Sequence, residues 1–166
     1  LPKSGISPSR QGSCRYHLLT QLKRSGEYLG LALIDIDHFK QYNDHYGHMQ
    51  GDDALRAVAR TMRQYAQRAG DVAARYGGEE FAFVSLGTAD TLPQQMESLR
   101  QAITELSLEH ISSPNGVLSV SIGVVVCAPL HTADVPALLQ AADHLLYQAK
   151  AQGRNQVQQQ LLQEQE

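Results

Sequence analysis

Three groups of residues in this chain have the types and spacing that chemistry needs. The first joins Asp35-Ile36-Asp37, at the end of an apolar run, to Glu79-Glu80, just after a Gly-Gly pair. If the segments carrying them are neighbours, three or four carboxylates meet at one sheet edge, where their mutual repulsion is costly unless a cation neutralises it. Oxygen ligands without His or Cys favour Mg²⁺ or Mn²⁺ over zinc. The competing reading is local: Asp37 caps a helix opening at His38, and the glutamates are solvated turn residues.

The second group is Phe39-Lys40 followed by Asn43, Asp44, Gly47, His48, Gly51 and Asp52. A turn that leaves a strand and enters a helix presents backbone N–H groups able to cradle phosphates, and Lys40 adds positive charge. Asp52 suits the N1–H and 2-amino group of a guanine, and Asn43 can pair elsewhere on the purine; adenine would leave such an Asp unpaired. Plain loop chemistry accounts for the same Asn, Asp and Gly residues. The third group, Lys150 and Arg154 on either side of Gly153, either complements the dipole at a helix C-terminus or holds a triphosphate tail.

These groups need elements to position them. Leu29 to Asp35 is apolar on both faces and reads as a buried strand ending in carboxylates. Asp52 is an N-cap candidate for a long helix through Leu55, Val58, Met62 and Tyr65. Asp71 to Tyr76 and Phe81 to Leu86 flank Gly77-Gly78 as a β-hairpin. Thr91 to Leu108 and Asp134 to Gln152 are helical, the latter ended by Gly153; Val117 to Val126 is an inner strand, and Val157 starts a short last one. Tyr16 to Leu22 reads as a short amphipathic helix that Gly26 ends. The pattern implies an α+β fold, a mostly antiparallel sheet with helices laid against it. Residues 1–14 are expected to form a poorly ordered lead-in, 15–158 one domain, and 159–166 a Gln-rich tail.

The 166 residues carry 14 Lys+Arg against 17 Asp+Glu, a net charge of −3, which with no dense basic block argues against a nucleic-acid partner. Apolar residues make up 42% and charged ones 19%, which excludes wholesale disorder. Cys14 and Cys127 are too few and too isolated for a disulfide framework or a zinc cluster, so a cytoplasmic setting is expected. Val117 to Leu130 is too short and too interrupted to span a membrane, so no membrane contact is expected within this chain.

Taken together these residues resemble the GGDEF domains, the diguanylate cyclases. Arg75-Tyr-Gly-Gly-Glu-Glu-Phe81 is similar to the signature loop in its GGEEF form, and Asp35-Ile-Asp-His-Phe-Lys40, Asn43-Asp44, Gly47-His48 and Gly51-Asp52 to the segment upstream. Ser121-Ile-Gly123, Ala142-Asp143, Leu146-Tyr147, Ala149-Lys150 and Gly153-Arg154-Asn155 look like the closing segments. The resemblance covers about residues 29 to 157, in order. It departs from the family at residues 1 to 19, which lack a D-x-L-T-G-L-x-N-R-like opening, and at His38 and Tyr42 beside Phe39.

The resemblance implies a palm-like fold related to nucleotidyl cyclases, and the condensation of two GTP into cyclic di-GMP and pyrophosphate across a homodimer. It implies Asp35, the Ile36 carbonyl and Glu79 as Mg²⁺ ligands, Asn43 and Asp52 as guanine readers, and Phe39, Lys40, Lys150 and Arg154 as phosphate holders. Gly77 and Gly78 would let the hairpin approach the nucleotide, and Glu80 would help activate the 3′-hydroxyl. Arg68-Ala-Gly-Asp71 looks like the family's product-inhibition site, with Arg100 as its second-site partner. A sensor upstream in a longer parent protein would supply regulation. The rival expectations are a catalytically silent cyclic di-GMP receptor and a metal-dependent phosphohydrolase; the guanine-type residues weigh against the latter, and a receptor has no need of Asp35, Glu79, Glu80, Lys150 or Arg154.

Overall fold

The computed structural model describes residues 27–128 and 134–162. The lead-in, the helix expected from Tyr16 and Cys14 lie outside the described residues. The chain runs β1 (Tyr28–Ile36), α1 (Phe39–Tyr46), α2 (His48–Tyr65), β2 (Val72–Gly77), β3 (Glu80–Gly87), α3 (Thr91–Glu105), β4 (Val120–Cys127), α4 (Val135–Ala151) and β5 (Val157–Leu162). One sheet has the order β2-β3-β1-β4-β5, antiparallel except for the parallel β4–β5 pair. This is the mostly antiparallel α+β sheet that the sequence pattern implies.

The central strand β1 is apolar on both faces because each face has its own helices. Ala32, Ile34 and Ile36 point into a core with Leu55, Val58 and Met62 of α2 and Leu92, Met96, Leu99 and Ile103 of α3. Leu29, Leu31 and Leu33, one residue out of phase, pack on Leu138, Ala142, Leu145 and Leu146 of α4. The same alternation turns Asp35 toward the α4 side. Gly123 of β4 permits this packing, since a Cβ there would run into the Ala142 carbonyl and the Leu146 amide of α4.

The long helix begins earlier than its capping chemistry suggests. It starts at His48, with Gly47 at φ 85° in the N-cap position, so Asp52 lies inside the first turns and caps nothing. Gly47 also donates its N–H to the Asn43 carbonyl at 2.8 Å, closing α1 as it opens α2. The hairpin turns at Gly78-Glu79, with an irregularity between Arg75 and Gly77. At the C-terminus β5 extends to Leu162, so residues 159–162 belong to the sheet and not to a tail.

Candidate active site

Asp35 is the last side chain of β1 on the α4 face, 6% exposed, opposite Glu80 of β3 and Ser121 of β4. The Ile36 N–H reaches the Glu79 carbonyl at 3.4 Å, which ties the hairpin turn to the end of β1. The Asp35 carboxyl is raised to about 6: burial pushes it up most, the Lys150 ammonium, 3.1 Å from Oδ2, pulls it partly back, and the charges of Glu79 and Glu80 add to the rise. The register thus sets Glu80 across from Asp35, and the charges of both glutamates reach it.

An all-oxygen donor set around a buried carboxylate with one lysine as counter-ion fits a hard divalent cation. Among the described residues no three His, Cys, Asp or Glu side chains group tightly enough to hold an ion alone. Nucleotide oxygens and water would have to complete the shell, as is usual for magnesium.

Asp37 does not belong to this carboxylate group, nor does it cap a helix. It is 2% exposed and accepts from the Ser119 hydroxyl at 2.7 Å, the Ser121 hydroxyl at 2.6 Å and the Asn155 N–H at 3.1 Å. It fastens the end of β1 to β4 and to the loop after α4. The N-cap position of α1 falls to His38, left-handed at φ 53°, without a side-chain cap. His110, fully buried, donates from Nε2 to the His38 carbonyl at 3.0 Å and so steadies that turn.

Phe39 is buried and Lys40 exposed at the N-terminus of α1, where the first N–H groups have no partner within the helix. Asn43 lies half-buried four residues on, with its Oδ1 buried and unpartnered, directly over Gly51. Asp52 lines a cavity of about 440 Å³ between α2 and β2–β3, together with Leu55, Arg75 and Phe81. Gly77 and Gly78 face open space, and Arg75 braces the turn by donating from Nε to the Gly78 carbonyl at 2.8 Å. On the opposite flank Arg154 is exposed and left-handed at φ 62°.

The family profile described as "Diguanylate cyclase, GGDEF domain" matches residues 14–156. The chain belongs to the GGDEF family. Its sequence is 38% identical over 137 residues to the diguanylate cyclase VdcA of Vibrio cholerae, covering 82% of this chain and 40% of that protein. Against the diguanylate cyclase DgcP of Pseudomonas aeruginosa it is 37% identical over 133 residues, 80% of this chain and 19% of that protein. This GGDEF chain thus spans less than half the length of either relative. The crystal structure of the GGDEF domain of DgcB from Caulobacter crescentus in complex with c-di-GMP superposes with a TM-score of 0.78 at 28% identity, covering 96% of this chain and 97% of that one. The active GGEEF domain of a Vibrio cholerae diguanylate cyclase gives 0.73 at 27% identity, covering 94% and 97%.

In this GGDEF domain Arg68 lines a second cavity, of about 870 Å³, with Tyr65, Gln95 and Ser98. The Asp71 carboxylate is already engaged: Oδ2 accepts from the Arg68 N–H at 3.1 Å and Gln95 Nε2 at 3.3 Å, and Oδ1 from the Ser85 hydroxyl at 2.7 Å. Arg100 is not among the residues lining that cavity. It follows Ser98 by two positions, roughly 200° round the helix, and is bound to Glu97 and Asn155. The Asp37 cage and the Arg100–Asn155 link were not legible as site features. Their faint signal was Ser119 and Ser121, two hydroxyls on one face of an otherwise apolar strand.

Proposed function

We propose that the domain is an active diguanylate cyclase that condenses two GTP into cyclic di-GMP and pyrophosphate. The observation that carries this reading is the meeting of Asp35, Glu79, Glu80 and Lys150 at one edge of the sheet. A silent receptor would have no use for a buried carboxylate kept partly charged by a lysine. Asn43 and Asp52 hold the guanine, Asp52 at its N1–H and 2-amino group and Asn43 elsewhere on the purine. The N–H of Phe39, with Lys40, Lys150 and Arg154, holds the triphosphate.

Divalent magnesium or manganese bound by Asp35, Glu79 and the Ile36 carbonyl would supply charge neutralisation at the transferring phosphoryl group. Glu80 accepts the proton of the attacking 3′-hydroxyl. Each 3′-oxygen forms a bond to the α-phosphorus of the facing GTP, and each GTP releases pyrophosphate. One chain holds one GTP, so two copies must face each other.

Arg68, with Asp71 beside it, is proposed to bind cyclic di-GMP as a feedback inhibitor through guanine O6 and N7. Arg68→Ala is expected to raise the final yield; unchanged yield together with unchanged product affinity counts against the site. The relatives' greater length supports a sensor region elsewhere in the parent protein. Among the described residues no helix is long and apolar enough to cross a membrane.

The test is incubation of purified protein with GTP and Mg²⁺, followed by chromatography for cyclic di-GMP. Asp35→Ala and Glu79→Ala should each abolish product while the protein stays folded by circular dichroism. Full activity in either variant would refute the assignment.

A further inference from the structure

After α4 the backbone is left-handed at three consecutive residues, Gly153 at φ 113°, Arg154 at 62° and Asn155 at 45°. Gly153 and Asn155 tolerate this region, so Arg154 is the residue its surroundings must hold there. The Arg154 N–H donates to the Ala149 carbonyl at 2.9 Å, and the Asn155 N–H to Asp37 Oδ2 at 3.1 Å. These bonds secure the amides of the turn. Its side-chain tether comes from a different element: Arg100 of α3 donates from Nη1 to Asn155 Oδ1 at 2.7 Å.

Arg100 is itself oriented. Its Nε and Nη2 donate to the two carboxylate oxygens of Glu97, at 3.0 and 2.6 Å, which fixes the guanidinium plane and leaves Nη1 aimed at Asn155. The Arg100 side chain is only 16% exposed, so water competes weakly for these bonds. Arg154 differs: its guanidinium has no ion-pair partner among the described residues, and its charge reaches His38 at the mouth of α1.

We propose that Arg100 and Asn155 are a positioning pair that holds the turn after α4 so that Arg154 faces the triphosphate of the bound nucleotide. This assigns to Arg100 a role on the substrate side of the domain, distinct from the second inhibitory contact that the family resemblance suggests. It rests on the reading of Arg154 as a phosphate holder, and the controls below separate the two.

The experiment measures binding of α,β-methylene GTP, which cannot release pyrophosphate, and of guanosine, which has no phosphates, to the full chain and its variants. Arg154→Ala should weaken the analogue about tenfold, the order expected for one charge-assisted contact, and leave guanosine unchanged. Arg100→Met and Asn155→Gly should do the same although neither residue touches the ligand; the glycine permits the left-handed backbone and removes the side chain that Arg100 holds, so it serves even if Arg100→Met fails to fold. Asn155→Asp, which keeps both the acceptor and tolerance of positive φ, should restore near-normal binding. In the double variant Arg100→Met/Arg154→Ala the losses should not add.

If Arg154→Ala weakens the analogue while Arg100→Met and Asn155→Gly do not, the positioning role is overturned and the phosphate reading stands. If Arg154→Ala has no effect, the phosphate reading fails and the positioning role with it. Equal losses for analogue and guanosine in Arg100→Met and Asn155→Gly would mean general loosening of the fold, and would also overturn the proposal.

Discussion

At the scale of single residues, the two aspartates at the end of β1 show how burial sorts identical side chains into different work. Asp37 has three donors to its carboxylate and is a fastener. Asp35 is almost as buried, yet has only the Lys150 ammonium for company and two glutamates nearby, so its carboxyl is raised from 3.8 to about 6. A carboxyl whose folded value lies above its unfolded one favours the folded state most when protonated. Its contribution is present in full below about pH 3.8, is lost as pH rises to about 6, and changes little above that. Asp35→Asn, measured by urea unfolding in EDTA, should therefore be more stable than the parent by about 1–3 kcal/mol at pH 7.5, with the gap closing toward pH 4. The same variant should make no cyclic di-GMP. A gap that does not vary with pH would show that Asp35 is not the strained carboxylate described here.

At the scale of elements, two glycines mark close approaches of opposite consequence. At Gly123 a Cβ would strike the backbone of α4, which cannot yield without lifting the helix off β4. Gly123→Ala should cost ~3 kcal/mol or more by overpacking, read as a lowered midpoint in thermal unfolding. At Gly51 a Cβ would strike the Asn43 side-chain oxygen, which can swing away. Alanine is also the better helix former by about 1 kcal/mol, so Gly51→Ala should leave the midpoint unchanged or higher while weakening guanosine binding through the displaced Asn43. A lowered midpoint with intact guanosine affinity would reverse that assignment.

The elements also explain what could be foreseen. β1, the hairpin and α4 were legible because burial on both faces, a Gly-Gly turn and a helical stripe each leave a periodic mark. The start of α2 is masked in the sequence because Asp52 has cap chemistry, whereas the break is made about a turn earlier by the positive φ of Gly47. The reach of β5 was hidden because Gln159 and Gln160 face solvent in an edge strand and carry no apolar alternation. Asp35 and Glu79 were legible as a pair of types, but the separate fate of Asp37 depended on hydroxyls more than eighty residues away.

At the scale of the whole molecule, a single domain presents, on the proposed reading, one guanine corner at Asn43 and Asp52, one carboxylate edge and one cationic flank at Lys150 and Arg154. Under the proposed reaction it can supply only half of what a cyclic dinucleotide needs, because the phosphorus attacked by its nucleotide's 3′-oxygen must sit on a second chain. Turnover per chain should therefore fall on dilution, in proportion to concentration once most chains are monomeric. A sharper form of the prediction uses a mixture. Asp35→Ala retains the guanine corner and pairs with the parent, but leaves one half-site without its carboxylate. A tenfold excess of this variant over trace parent enzyme should suppress cyclic di-GMP formation per parent chain well below its value at the same total protein concentration, and any linear dinucleotide should accumulate instead. A monomeric catalyst would be indifferent to the added variant, so unchanged output per parent chain would remove the facing-dimer requirement while leaving the carboxylate site intact.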